Sequence, residues 1–202
     1  MAAIRFDSKR CIHARQCVLR QPDVFKANVQ GPWIDPDAAS PGALLEVAHN
    51  CPSGAITIER SDGGEVETAP KVNLITLREN GPLAFHAEMK IGDLPVSYRA
   101  TLCRCGQSKN KPFCDGAHAT EGFIATGDPP TADSQPLAKR AGPLTVTQTP
   151  NGPLVVSGSV EIISVTGRTI NRMTKVTLCR CGASQNKPYC DWSHARVGFE
   201  AP

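Results

Sequence analysis

A pattern of cysteine and histidine that occurs twice constrains the fold of this chain more than any other sequence feature. Its spacing is Cys-x-Cys-x8-Cys-x3-His, and it runs from Cys103 to His118 and again from Cys179 to His194. Cysteine and histidine are soft or borderline metal ligands, and four of them so close in sequence converge on one site if the loop doubles back. Bound metal would then hold each module together, because ligand assembly and chain ordering are the same event.

The cysteine pattern belongs to a longer internal repeat. Asn80-Gly81-Pro82-Leu83 recurs as Asn151-Gly152-Pro153-Leu154 upstream of the second loop. Apolar and β-branched runs, typical of strands, precede both loops. They lie at 72–77, 83–89 and 96–102 in the first copy, and at 144–148, 154–165 and 170–178 in the second. The sequence therefore predicts two strand-rich modules, 71–126 and 142–202, joined by the proline-rich segment 127–143.

Residues 1–60 have a different pattern, that of a small α+β domain. Ser40 is a candidate N-cap, with Pro41 at the first helical position, and Cys51-Pro52 ends this helix. The run 55–60 predicts a strand able to pair with residues 4–6 near the start of the chain. The whole chain is thus predicted to be α+β, with three modules separated at 61–70 and 127–143.

Nine cysteines fall into three groups of three. An odd total does not suit a disulfide framework, whereas three sets of metal ligands use every cysteine. The N-terminus has no apolar leader, and no run of about 18 apolar residues occurs, which predicts a cytoplasmic protein without a membrane partner. The formal net charge of +3 is spread along the chain, so no nucleic-acid partner is expected.

Spacing alone leaves the identity of the metal open. A Cys3His set suits tetrahedral zinc as well as iron, and both interpretations stand at this point.

The pentapeptides Cys-Asp-Gly-Ala-His at 114–118 and Cys-Asp-Trp-Ser-His at 190–194 resemble the signature of the CDGSH iron-sulfur (mitoNEET-like) family. The resemblance extends from about Lys71 to the C-terminus. It implies one [2Fe-2S] cluster per copy, held by three cysteines and one histidine. The implied ligands are Cys103, Cys105, Cys114 and His118 in the first copy, and Cys179, Cys181, Cys190 and His194 in the second. Ala117 and Trp192 depart from the family pattern, and Trp192 predicts unequal exposure of the two sites.

This ligand set predicts a one-electron carrier. Replacing one thiolate by a neutral imidazole makes the oxidised cluster less negative, so we expect potentials between about −400 mV and the Rieske range. A cluster donor or a redox and iron sensor is the alternative, because mild acid competes with iron for histidine. No catalytic constellation accompanies the ligands, so an enzyme is not expected. The expected partners are redox proteins or apo iron-sulfur acceptors.

The family resemblance also implies a homodimer whose protomers share a strand-rich cap. Because this chain carries both copies, we predict an intrachain pseudo-dimer in which strands of each repeat cover the other. A monomer is therefore expected in solution.

The cysteines Cys11, Cys17 and Cys51, the last followed by Pro52, resemble those of a divergent single-cluster ferredoxin domain. Ala14 stands where the middle ligand of the usual run would be. Three thiolates suit a [3Fe-4S] cluster, or a [4Fe-4S] cluster completed by His13 or water. The alternative is an empty site that keeps only the fold.

Overall fold

The computed structural model describes residues 2–202 as a mixed α+β chain in which strands outnumber helices, as the sequence predicts. The strands are β1 (Ala2–Phe6), β2 (Ile56–Arg60), β3 (Leu74–Leu77), β4 (Leu83–Ile91), β5 (Ser97–Leu102), β6 (Leu144–Gln148), β7 (Leu154–Ser164) and β8 (Thr169–Leu178). The helices are α1 (Gln16–Arg20), α2 (Pro41–Asn50), α3 (Ala117–Thr120) and α4 (Ser193–Arg196), with a 3-10 turn at Pro36–Ala38.

The N-terminal part contains the strand pair β1–β2 and, between these strands in the sequence, helices α1 and α2. The two strands are antiparallel, with Ile4 opposite Ile58, which confirms the predicted pairing. Ser40 caps α2, because its Oγ accepts a hydrogen bond from the Ala43 N–H at 3.3 Å. The apolar face of α2 packs against the sheet, and the aromatic side chains of Phe6 and Trp33 pack against the same core. This separate core contains Val24, Phe25, Leu44, Val47, Ala48 and Ile56.

Strands of both repeats form one six-stranded sheet. Strand β4 of the first repeat pairs with β3 of its own repeat and, further along, in parallel with β6 of the second repeat. Strand β7 pairs in the same way with β6 of its own repeat and in parallel with β3 of the first repeat. The short strands β3 and β6 therefore lie between the two long strands, with β5 and β8 outside them.

This interleaving gives the two repeats a single hydrophobic core. Alternate residues of β4, such as Phe85, Ala87 and Met89, are almost fully buried, as expected for strands with one face against a core. They belong to the same cluster as Val156 and Ile162 of β7. Neither repeat buries its apolar face without the other.

The segments that join the modules carry their own anchors. Asn73, which is fully buried, donates through its side-chain amide to the carbonyls of Gly142 at 2.8 Å and Ser159 at 3.0 Å. Arg140 forms an ion pair of 2.5 Å with Glu161, whose side chain is 3% exposed. Within residues 2–202, none of the helices has the length and apolar character that a membrane span needs.

Candidate metal centres

The first cysteine loop brings its four predicted ligands together as two pairs. The sulfur atoms of Cys103 and Cys105 lie 3.6 Å apart, and the Cys114 sulfur lies 3.3 Å from Nδ1 of His118. Across residues 2–202, no group of three or more histidine, cysteine or acidic side chains is placed to hold one metal ion. Two donor pairs suit a two-metal centre, in which each metal takes two ligands from the protein.

The second loop repeats this arrangement. The sulfurs of Cys179 and Cys181 lie 3.8 Å apart, and the Cys190 sulfur lies 3.4 Å from Nδ1 of His194. In both loops the nitrogen that faces the cysteine is Nδ1, which leaves Nε2 on the far side of the ring. The sequence-predicted ligand sets of the two modules thus adopt the same geometry.

The thiols of each loop need cationic charge before they can all ionise. The hydrogen bond between the Cys103 and Cys105 sulfurs lowers the pKa of Cys103 to about 6 and raises the pKa of Cys105. Burial raises the pKa of Cys114 and of Cys179, each to about 11. Such buried sulfurs become thiolates when metal ions neutralise them, so binding would release protons. The donor set therefore fits a bound iron-sulfur cluster.

Backbone N–H groups point at the sulfurs. The Gln107 N–H donates to Cys105 Sγ at 3.5 Å, and the Gly116 N–H donates to Cys114 Sγ at 3.4 Å. The corresponding donors in the second loop are Ala183, to Cys181, and Trp192, to Cys190, both at 3.4 Å. Hydrogen bonds to cluster sulfurs are among the levers that raise a reduction potential.

A serine closes each loop. Ser108 Oγ donates to the Phe113 carbonyl at 2.7 Å and accepts from the Asn110 N–H at 3.0 Å. Ser184 makes the same two bonds with Tyr189 and Asn186. Both serines are about as buried as the core. These bonds hold the loop in its doubled-back form.

Aspartate is a common N-cap residue, so the sequence favours Asp115 and Asp191 as the N-caps of the helical turns that carry the histidines. The N-cap positions of α3 and α4 are instead Gly116 and Trp192, one residue later. Each carboxylate instead accepts two backbone N–H bonds, in the first loop from Lys109 and Ala117 at 2.8 and 3.1 Å. Burial opposes ionisation, but these bonds hold the pKa of Asp115 below its ordinary value.

Buried arginines lie between the paired cysteines of both loops. Arg104 and Arg180 are each 1% exposed. Arg104 donates to the carbonyls of Gly81 at 2.7 Å and Arg78 at 2.5 Å, and Arg180 donates to Gly152 at 2.8 Å. The repeated Asn-Gly-Pro-Leu segments therefore supply carbonyls that hold these guanidinium groups.

The arginines bring positive charge near the sulfurs of the opposite repeat. Burial lowers the pKa of Arg104 to about 10, while Cys179 of the second repeat acts in the opposite direction. Burial also lowers the pKa of Arg180, against the effect of Cys103 of the first repeat. Both guanidinium groups remain charged at neutral pH, so each centre lies in the field of a cation from the other repeat.

The three N-terminal cysteines line one cavity of about 400 Å³, which His13 and Ala14 also line. Burial raises the pKa of Cys17, and the charges of Cys51 and Cys11 act in the same direction. The Cys51 sulfur is 3.7 Å from Oγ of Ser53, a residue that is only 2% exposed. Thiols around a mostly apolar cavity suit a metal cluster more than a polar ligand.

Arg99 of β5 joins this N-terminal domain to the first repeat. Its side chain is 3% exposed and forms a two-bond ion pair with Glu67 at 2.6 and 2.7 Å. It also donates to the Cys51 carbonyl at 2.6 Å. In return, the Arg99 carbonyl accepts from Arg10 at 2.7 Å, and the Arg10 guanidinium lies 4.8 Å from the ring centre of Phe113.

Sequence comparison agrees with this geometry. The model of the family described as "Iron-binding zinc finger CDGSH type" matches residues 53–119 and 151–195, which together make up more than half of the chain. The protein belongs to this CDGSH family. A second family model, described as "Divergent 4Fe-4S mono-cluster", matches residues 2–61. A search of curated proteins found no match.

The chain is therefore an iron-sulfur protein with two CDGSH regions behind a divergent 4Fe-4S domain. The two CDGSH loops differ at Trp192, which occupies the position in the second loop that Gly116 occupies in the first. Trp192 has a φ of 67° and is 69% exposed, and its ring centre lies 5.5 Å from that of His194. A bulky residue is rare at positive φ, and Trp192 makes the surroundings of the two histidines unequal.

Sequence reasoning missed the serines that close the CDGSH loops and the arginines between the cysteines. One signal was available, because Arg104 and Ser108 both recur at the same positions of the second loop, as Arg180 and Ser184. No comparable signal exists for Arg99, whose counterpart four residues before Cys179 is Lys175.

Proposed function

We propose that this protein is a one-electron carrier that holds a [2Fe-2S] cluster in each CDGSH loop. The observation that carries the proposal is the arrangement of the ligands in two pairs, Cys103 with Cys105 and Cys114 with His118, repeated in the second loop. A [2Fe-2S] cluster has two irons, each of which needs two protein ligands. When bound, such a cluster supplies one-electron redox chemistry.

In the first loop the cysteines and the histidine differ in their exposure to solvent. Cys103, Cys105 and Cys114 are at most 7% exposed, whereas His118 is half-buried and lies nearer to solvent. The histidine side of the site is thus the natural place for electrons to enter or leave. The buried arginines and the N–H donors stabilise negative charge at the sulfurs, which favours the reduced form.

The two repeats act as an intrachain pseudo-dimer in this proposal. Parallel pairing of β3 with β7 and of β4 with β6 supports it, because each repeat lends a strand to the other. Such a chain completes its own sheet and has no need of a second copy, so we propose a monomer. Sedimentation that found an obligate dimer would contradict this part.

The N-terminal domain, a ferredoxin-like module in our proposal, holds a third centre between Cys11, Cys17 and Cys51. The cavity that these cysteines share supports a [3Fe-4S] or [4Fe-4S] cluster, with His13 or water as the non-cysteine ligand of the latter. We propose that the protein works in the cytoplasm with redox proteins and has no catalytic activity of its own.

A second candidate function is transfer of clusters to apo iron-sulfur acceptors, or sensing of iron or redox state. The half-buried histidines favour it, since a ligand within reach of solvent and acid is easier to displace than a buried thiolate. Incubation of the loaded protein with an apo-ferredoxin discriminates the two functions. Transfer of intact clusters would favour the second, while electron transfer without cluster loss would favour the first.

Redox titration of the purified protein, followed by visible absorption and electron paramagnetic resonance, tests the proposed function. We expect a coloured protein whose two CDGSH centres each take up one electron between about −400 mV and the Rieske range. A colourless protein with one zinc ion per loop would reject it. Two centres at or below about −400 mV would show that histidine is not a ligand.

A further inference from the structure

We infer that the second repeat carries a docking face for a separate acidic protein of the single-cluster ferredoxin type. We call this face, defined by Lys175, Asn186, Tyr189 and Trp192, the open face. The inference rests on the proposed electron-carrier function and names the class of partner that this function needs.

The N-terminal domain covers the corresponding face of the first repeat. There, Arg99 is buried by its contacts with Glu67 and the Cys51 carbonyl. Asn110 donates through its side chain to the Lys9 carbonyl at 2.6 Å. Next to these contacts, His118 borders a groove whose other wall includes Ile12 and Pro52. One domain thus reaches Arg99, Asn110, Phe113 and the edge of the ligand histidine.

The equivalent positions of the second repeat are uncovered. Lys175 and Asn186 have the same sequence separations from Cys179 that Arg99 and Asn110 have from Cys103. The side chains of Lys175 and Asn186 are exposed. Tyr189 is the counterpart of Phe113 and is as partly buried as Phe113, with its hydroxyl accepting a hydrogen bond from the Asn171 side chain at 2.8 Å. Because a single domain spans these positions in the first repeat, their counterparts share one side of the second repeat.

Trp192 lies at the histidine end of the open face. Its backbone adopts the positive φ that Gly116 adopts in the first loop, yet its indole ring is 69% exposed. Both the backbone strain and the exposed apolar surface cost stability in the free protein. An exposed tryptophan of this kind is the residue type that most often anchors a protein–protein interface.

The charge of the open face indicates an acidic partner. Lys175 and Arg196 are exposed. The nearest acid in sequence, Asp191, already accepts N–H bonds from Gln185 and Ser193. Positive charge around an apolar anchor suits a partner with carboxylates around an apolar contact.

The occupant of the equivalent face argues for the partner's class. In the first repeat this face meets a domain that matches a divergent 4Fe-4S mono-cluster family. The first repeat therefore contacts a single-cluster domain of its own chain. We expect the same side of the second repeat to bind a single-cluster domain that belongs to a separate protein. Docking there would bring the partner beside His194, as the N-terminal domain lies beside His118.

Calorimetric titration of the full-length, cluster-loaded protein with an acidic bacterial [4Fe-4S] ferredoxin tests the inference. The variants Trp192→Gly and Lys175→Glu alter the open face, while Lys139→Glu makes the same charge change in the linker. We expect Trp192→Gly to weaken binding by roughly 30-fold or more, as loss of an interface anchor does. Lys175→Glu should weaken it by about 10-fold at low salt, and Lys139→Glu much less.

Several results would overturn the inference. These are an absence of binding at low salt, equal binding by Trp192→Gly and the unmodified protein, and equal losses for Lys175→Glu and Lys139→Glu. Sedimentation of the protein alone provides a further check. If the protein self-associates and Trp192→Gly does not, the open face binds a second copy of this chain and the inference is wrong. The titration measures binding without electron transfer, so its failure is separate from failure of the redox titration.

Glycine fits the positive φ at position 192 better than tryptophan, so Trp192→Gly should fold. The visible spectrum of each variant verifies that its clusters are retained. Lys175→Glu changes an exposed side chain. If Trp192→Gly loses its clusters, ferredoxin binding by Lys175→Glu tests the inference independently.

Discussion

Cys105 and Cys181 pair through their backbones across the two repeats, in an isolated antiparallel bridge. The next residues, Gly106 and Gly182, have positive φ values of 84° and 81°. A Cβ on Gly106 would collide with the Cys181 carbonyl, and one on Gly182 with the Cys105 carbonyl. The two ligand loops therefore contact each other where only glycine fits.

Gly106→Ala should destabilise the protein and loosen both centres. Positive φ alone costs an alanine about 1 kcal/mol, and the collision with Cys181 adds to this cost. We expect a lower midpoint of thermal unfolding and faster loss of visible absorption from both loops. Gly167→Ala is the matched control, because Gly167 has a φ of 86° and no atom near its missing Cβ. Equal losses of stability in the two variants would show that the contact between loops contributes nothing.

His118→Cys should slow the loss of the first cluster in mild acid. Burial lowers the pKa of His118 below its usual value of about 6.5, an effect that Asp115 opposes and Arg104 reinforces. Since the folded pKa lies below the unfolded one, the neutral imidazole favours folding above about pH 6.5, and this contribution falls as the pH drops through the folded pKa. An anionic thiolate binds iron more strongly than a neutral imidazole does, so mild acid displaces cysteine less readily.

The decay of visible absorption at about pH 5.5 and at pH 8 measures this effect. His194→Cys is the companion variant, and it should protect the second centre instead. Acid decay that is unchanged in His118→Cys would reject His118 as the ligand that protons displace.

Arg99→Met should release the N-terminal domain from the first repeat. The substitution leaves Glu67 without its ion-pair partner and removes the donor to the Cys51 carbonyl, and loss of one partner of a buried pair costs about 3–5 kcal/mol. Hydrogen exchange should therefore increase in residues 2–60. Lys175→Met changes the exposed counterpart and should alter stability by no more than about 0.5 kcal/mol. Unchanged exchange in Arg99→Met would mean that other contacts hold the domain.

Iron content distinguishes a loaded N-terminal site from an empty one. Two [2Fe-2S] centres contain about four irons per chain, and a [3Fe-4S] or [4Fe-4S] centre brings the total to about seven or eight. Cys17→Ser should reduce the higher value to about four, and it should leave the spectrum of the CDGSH centres intact. About four irons in the unmodified protein would support the alternative of a domain that keeps only its fold.

Local patterns predicted the ligand loops and most of the elements. The candidate ligands of a loop lie within one short segment, so their spacing is visible in the sequence, as are the cap at Ser40 and the alternation along β4. The sequence did not predict that β3 pairs with β7, because any of several strands with the same pattern could fill that position.

Contacts between distant segments account for most of what was missed. Arg99 meets the Cys51 carbonyl across 48 residues of sequence, and neither residue carries a local sign of the other. The serine and the arginine of each loop recur at equivalent positions of the two repeats, and this recurrence is detectable in the sequence. Their roles depend on which carbonyls the folded chain brings near them, and spacing does not reveal this.

In an assembly of two identical subunits, every substitution occurs at both metal sites. Here both loops belong to one polypeptide, so a change at one position alters one site only. Trp192 stands in the second loop while its counterpart in the first is Gly116, and the N-terminal domain lies against the first repeat. The two metal sites of this molecule therefore have different surroundings, whereas those of a symmetric dimer are equivalent. Partners and electrons can distinguish one site from the other.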